Sequence, residues 1–221
     1  MEINCSQLTK RLKYKKIVLY WWKSHRKKGS VPPLYKQCRT EQSAARQREL
    51  MEGLLEAMLQ QHYDEISVSS LCEQMQIPRK SFYRYFSSKE GALNALIDHA
   101  LLDFESFTEN SLSGSGPAEQ EMERMFSYWF HQRRLLDALQ KSGLSGVLVN
   151  RAIGHSVFEN VRSRRFLPEE EQQAQEYITL FAVSGFMSMV IQWHHEGYRQ
   201  TVQQMAQIAI RLVSNPLLPE L

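Results

Sequence analysis

Four basic side chains, Arg79, Lys80, Arg84 and Lys89, stand within eleven residues that contain no acid, interleaved with Tyr83 and Tyr85. The surrounding stretch, residues 41–110, carries six basic residues against twelve acidic ones, a net charge of −6. A local island of positive charge is what a phosphate backbone requires, because each Lys or Arg that meets a phosphate releases condensed counterions. Arginine and lysine also match acceptor edges of bases, and tyrosine offers a hydroxyl to phosphate or a ring to a base methyl. The same residues can equally be a packed aromatic cluster with a solvated charged face, and their spacing alone does not separate the two.

Other chemistry is poorly supplied. His194 and His195 are adjacent, so they point in different directions on a helix, and none of the seven histidines joins a set with metal-ligand spacing. Cys5, Cys38 and Cys72 are odd in number, far apart and without a CxxC, which fits a reducing compartment. No GxSxG, Walker loop, GxGxxG or HExxH occurs, and Glu169-Glu170-Glu171 reads as a solvated helix start. Neither catalytic residues nor a metal or cofactor is therefore expected. No apolar run reaches the roughly 18 residues of a membrane span. The short run from Ile17 to Trp22, followed by Lys23-Ser24-His25-Arg26-Lys27-Lys28, does not make a signal peptide. The expectation is a soluble, cytoplasmic protein with no membrane partner.

The elements that must position the basic run can be read from periodicity and punctuation. The 221 residues are 43% hydrophobic with only ten Gly and seven Pro, which favours a helical core over a sandwich or barrel. Leu50, Leu54, Leu55, Met58 and Leu59 predict a first helix over 42–61. Ser67 caps a short second helix with Val68, Leu71, Cys72 and Met75 on one face. Pro78 falls in the first turn of a third, very short helix over 78–85. Ser87-Ser88-Lys89-Glu90 forms an S-x-x-E box opening a long fourth helix, striped by Leu93, Leu96, Ile97, Ala100, Leu101 and Phe104. Residues 110–117, rich in Ser and Gly, mark a junction. Met122, Met125, Phe126, Trp129 and Phe130 then keep helical spacing up to a break at Ser142-Gly143, and an amphipathic stretch covers 145–164. A helix over 169–195 is apolar on nearly all sides, which predicts burial all round. Gly197 closes it, Thr201-x-x-Gln204 caps the last helix, and Asn215-Pro216 ends that one. No strand pattern or internal repeat is present, so the fold class is all-α.

Two short helices joined by a tight turn, between longer ones, follow the plan of a helix-turn-helix. Ile66-Ser67-Val68-Ser69-Ser70-Leu71-Cys72, with Ile77-Pro78-Arg79-Lys80-Ser81-Phe82-Tyr83-Arg84-Tyr85-Phe86-Ser87-Ser88-Lys89-Glu90, resembles the DNA-binding signature of the TetR/AcrR transcriptional regulators. In that family a Ser- or Thr-containing turn leads to a Phe/Leu-Tyr-x-Tyr/His-Phe run and then to Lys-Glu at the start of the fourth helix. The resemblance implies a three-helix DNA-binding domain over 41–90 and a helical-bundle domain over 91–221 for dimerisation and effector binding, behind a basic N-terminal extension over 1–40. It implies Phe82 and Phe86 in the core, Tyr83 and Lys89 on phosphates, and Arg79, Lys80 and Ser81 at base edges. Arg84 joins the DNA-binding set, with Tyr85 reaching a base methyl or the backbone. Gln76 and Lys80 stand where the family commonly has glycine, and Pro78 where it has a serine cap. Gln76 is expected in a backbone conformation that costs about 1 kcal/mol, and Lys80 is expected to alter which sequence is read.

For the body, the resemblance implies a dimer interface on the last two helices, with Trp193-x-x-x-Gly197 closing the penultimate one. Candidate interface residues are Gly185, Ser188, Met189, Trp193, Met205, Ala209 and Leu212, the small ones allowing close approach. Candidate effector contacts are Phe126, Trp129, Phe130, Phe158, Phe181 and Phe186, for an unknown, largely apolar small molecule. Ordinary burial within one subunit is the alternative for both sets. The expected function is sequence-specific repression, a homodimer on double-stranded operator DNA released by that effector; the alternative is a TetR-like coactivator that has lost operator binding. Residues 1–40 hold eleven Lys and Arg against Glu2, a net charge of +10. That block reads as an arm tracking the DNA backbone, with Tyr14, Tyr20, Trp21 and Trp22 as wedges, or as a tail or translated upstream sequence.

Overall fold

The computed structural model describes residues 35–111, 118–163 and 169–214, the side chains of 109–111, 157–163, 169–176 and 213–214 excepted. The basic block over 1–34, the junction at 112–117 and Asn215-Pro216 lie outside the described residues. The described chain is all-helical, as the sequence implies. It runs α1 (Glu41–Gln60), α2 (Val68–Gln74), α3 (Arg79–Tyr83), α4 (Lys89–Ser111), α5 (Ala118–His131), α6 (Arg133–Lys141), α7 (Ser145–Ser163), α8 (Glu169–His195) and α9 (Val202–Ser214). A 3-10 turn occupies Tyr63–Glu65, and a lone antiparallel bridge joins Tyr35 to Phe86. Among the described residues two compact units result: one of residues 35–54 with Ser67–Leu96, the other of Leu55–Ile66 with the described residues from Ile97 to 214.

In the first unit, α1 contains no β-branched residue and, apart from Ser43 and Gly53, is built of Ala, Leu, Met, Glu, Gln and Arg, all good helix formers. Its Leu50 and Leu54 are fully buried, and Leu71, Phe82, Phe86 and Leu93 of the same unit are buried too, each worth roughly 1.5–3 kcal/mol of transfer free energy. Gly53 makes room for Met75: a Cβ there would stand 2.3 Å from the Met75 sulfur. Ser67 caps α2 by accepting from the Ser70 N–H, while the Ser70 hydroxyl answers to the Ser67 N–H.

Three helices end in the same turn. After α2, α6 and α8, the second residue past the helix donates backward three residues, and the next donates backward five. This closure needs a left-handed residue. Gly143 (φ 66°) and Gly197 (φ 70°) supply it after α6 and α8, and Gln76 (φ 54°) supplies it after α2, in the strained posture its sequence position implied.

The second unit is packed with aromatics. Phe126 lies 5.1 Å from Phe186 and 5.8 Å from Trp193, and Phe104 lies 5.6 Å from Trp129, ring centre to ring centre. Edge-to-face and tilted pairs of this kind add about 0.5–1.5 kcal/mol each beyond area burial. The chain breaks at Gln132 between α5 and α6, where the sequence pattern ran on to residue 142. An unbroken helix would turn Leu135 and Ala138 away from the side that buries Trp129. The break lets Leu135, Leu136, Ala138 and Leu139 all be buried. Among the described residues no helix is long and apolar enough to cross a membrane, and no group of three or more His, Cys, Asp or Glu stands where it could hold a metal ion.

Candidate nucleic-acid interface and ligand cavity

Helix α3 has five residues, too few to be stable alone, since nucleating a helix costs more than so short a one returns. Phe82, Tyr85 and Phe86, spaced i, i+3 and i+4, fall on one face and are buried; Phe82 and Phe86 ring centres are 5.3 Å apart. The opposite face carries Arg79, Lys80, Tyr83 and Arg84, all exposed, with Ser81 half-buried. The Arg79 guanidinium lies 5.8 Å from the Tyr83 ring centre and reaches its hydroxyl at 3.5 Å. Tyr85 departs from the expected DNA contact. It is only 7% exposed, because the spacing that puts Phe82 and Phe86 inside carries Tyr85 inside with them.

Pro78 is the N-cap of α3 rather than a member of its first turn. Its ψ of 139° is extended, and its carbonyl accepts from the Ser81 N–H at 2.8 Å. The turn at Gln76 fixes one end of α3. At the other end, the Lys36 N–H donates to the Tyr85 carbonyl at 2.6 Å. Buried Gln47 of α1 donates to the Lys36 carbonyl at 2.7 Å. Gln47 Oε1 accepts from the Cys38 thiol, whose sulfur accepts in turn from the Ser43 hydroxyl. Sequence reasoning did not foresee this seam; its signal was Gln47, a polar residue on the apolar side of α1. Lys89 opens α4 and is half-buried. The cap is Ser88, whose Oγ accepts from the Gly91 N–H at 3.1 Å, one residue later than the S-x-x-E box places it.

The second unit holds a partly open cavity of about 370 Å³. Leu101, Phe104 and Phe107 of α4, Met125 of α5, and Phe186 and Met187 of α8 supply much of its apolar wall, and Glu105 and His155 meet at its polar end. His155 donates from Nε2 to Asp98 Oδ1 at 3.1 Å and stands 3.5 Å through Nδ1 from Glu105 Oε1. Arg151 holds both oxygens of the fully buried Asp98 carboxylate. Burial opposes the charges, but hydrogen bonds from His155 and Arg151 hold Asp98 below the usual carboxylate range. Likewise burial opposes charge on His155, and the bonds to Asp98 and Glu105 outweigh it, pushing its pKa up to about 9.

Of the expected effector contacts, Phe186 lines this cavity. Phe126 and Trp129 are fully buried in the aromatic core, and Phe130 packs on Tyr198 at 4.9 Å. The Phe158 side chain lies outside the described residues. Phe181 is 82% exposed; five residues from Phe186, it falls on the far side of α8. Of the expected dimer contacts, Gly185, Ser188 and Leu212 are exposed and Met189 is half-buried. Trp193, Met205 and Ala209 are instead buried within the chain, Trp193 donating to the Gln200 carbonyl at 2.9 Å. Nor is α8 buried all round: Tyr177, Ile178 and Phe181 are exposed, because its own chain covers only one side of it.

Residues 119–215 match a TetR-type family described as a transcriptional regulator C-terminal region. No curated protein matches the chain. That regulatory region follows a short helix whose aromatic face is buried and whose basic face is exposed, and the match supports a transcriptional regulator of the TetR type.

Proposed function

We propose that this regulator is a homodimeric repressor that binds palindromic double-stranded DNA and leaves it when a small, largely apolar effector binds. The observation that carries the reading is the division of α3, with Phe82, Tyr85 and Phe86 inward and Arg79, Lys80, Tyr83 and Arg84 outward. In this reading residues 41–90 form the DNA-reading head and 91–221 the helical body. Arg79, Lys80 and Ser81 meet base edges in the major groove, and Tyr83, Arg84 and Lys89 hold phosphates, Lys89 aided by the start of α4. The exposed apolar side of α8, with Gly185 and Ser188 admitting close approach, meets the same side of a second copy. The cavity takes the effector, and the coupling is reciprocal: effector weakens DNA binding and DNA weakens effector binding by one factor.

The test is titration of the protein with a palindromic duplex, its half-sites about 34 Å apart, and with unrelated duplexes. Lys89→Ala should weaken binding to all of them alike, whereas Lys80→Ala should reorder preference among related sites. Binding that ignores sequence and is unmoved by either substitution overturns the reading and leaves a protein that works through other proteins.

A further inference from the structure

The cavity's lining also narrows the chemistry of what it holds. The following rests on the effector reading and deepens it. Phe104 and Phe186 lie nearly parallel, 6.0 Å between centres, and Phe107 adds a third ring to the wall. Met125 and Met187 bring thioethers to the same space. Phenylalanine rings and methionine sulfurs together favour an aromatic guest, through offset or edge contacts and through sulfur–ring contacts. At about 370 Å³ the cavity sits near the small end of ligand sites, which run from roughly 300 to 1,000 Å³.

The polar end decides the guest's charge. Among the described residues, three carboxylates, Asp98, Glu105 and Glu121, stand with three cations, Arg124, Arg151 and His155, in the lining or joined to it through His155 and Asp98. His155 belongs with the cations because it is wedged between Asp98 and Glu105, while Arg151 already engages both oxygens of Asp98. Among the described residues this set is balanced. An ammonium or a carboxylate on the guest would leave one charge uncompensated in a mostly apolar space, which is costly. Both nitrogens of His155 are engaged, so where it meets Glu105 the group that can recognise the guest is the Glu105 carboxylate, an acceptor beside Phe104.

We propose that the cavity takes an uncharged aromatic molecule bearing a hydroxyl, a phenol or aromatic alcohol, whose ring lies against Phe104, Phe107 and Phe186 and whose O–H donates to Glu105. A hydrogen bond to a charged acceptor strengthens binding by roughly ten- to a hundredfold over the same molecule without the donor.

Calorimetric titration of the full-length protein with 2-naphthol, naphthalene, 2-naphthoate and 2-naphthylmethylammonium tests this. 2-Naphthol should bind at least about tenfold more tightly than naphthalene, and both charged probes more weakly than 2-naphthol. Glu105→Gln should bring 2-naphthol down toward naphthalene while leaving naphthalene unchanged. Phe107→Leu, at a half-exposed position, should weaken both alike. Tightest binding by the naphthoate or the ammonium overturns the assigned class, as does equal affinity for naphthol and naphthalene, although the effector cavity itself would then stand. If none of the four binds, the effector reading falls with it.

Discussion

Gln76 holds a left-handed backbone that Gly143 and Gly197 adopt in the two sister turns. An L-residue there carries about 1 kcal/mol of strain that glycine escapes, partly offset by glycine's freedom when unfolded. Gln76→Gly should therefore stabilise the protein by roughly 0.5–1 kcal/mol and raise its melting midpoint by up to about 4 °C. Circular dichroism melts would show it, and an unchanged or lower midpoint would contradict the strain. The two tyrosines of the basic run should part company in the same measurement. Tyr85→Ala empties a core site and should cost about 3 kcal/mol or more. Tyr83→Ala removes a half-exposed ring and should leave the midpoint within about 2 °C while weakening DNA binding. The posture of Gln76 was legible because the family pattern has glycine at that point. The inward turn of Tyr85 was legible too, in its spacing from Phe82 and Phe86, but the hydroxyl drew the reading outward.

Between elements, the Asp98–Arg151–His155–Glu105 network ties α4 to α7. The His155 pKa is pushed up to about 9 in the folded chain, against about 6.5 for a free histidine. A raised folded value means that the stabilisation is complete below pH 6.5 and drains away as pH climbs toward 9. The melting midpoint should fall across that window, and His155→Gln should flatten the fall; parallel profiles for the two proteins would remove His155 from the account. Most helix limits were readable to within a residue or two, because Ser67, Thr201 and Gly197 are caps or stops with a mechanism. The division of α5 from α6 was not readable. Gln132 is neither glycine nor proline, and what bends the chain there is the burial of Leu135 and Ala138, a tertiary demand with no local marker.

At the scale of the whole molecule, the sequence showed that α8 becomes apolar on nearly all sides but could not say which side its own chain would cover. Burial divides it: Met187, Val190 and Trp193 are inside, while Tyr177, Ile178 and Phe181 face out, and α9 adds exposed Ile208 and Leu212. Exposed rings of this size call for a partner surface. The protein should sediment at twice its chain mass, and Phe181→Asp should shift it toward monomer with little loss of helical signal, since that ring is 82% exposed among the described residues. A stable wild-type monomer at micromolar concentration would refute the pairing. The seam at Tyr35–Cys38 bears on the molecule in another way. Because the Lys36 amide is bound to the Tyr85 carbonyl, peeling that segment off loosens α3 as well. The amide hydrogens of Lys36, Ser81 and Phe86 should exchange with deuterated water as one cooperative group, sooner than those flanking Leu50 in the middle of α1. The surface proposed to read DNA would then be the most readily opened layer of its unit, and a duplex held against it should slow exchange as far back as Lys36.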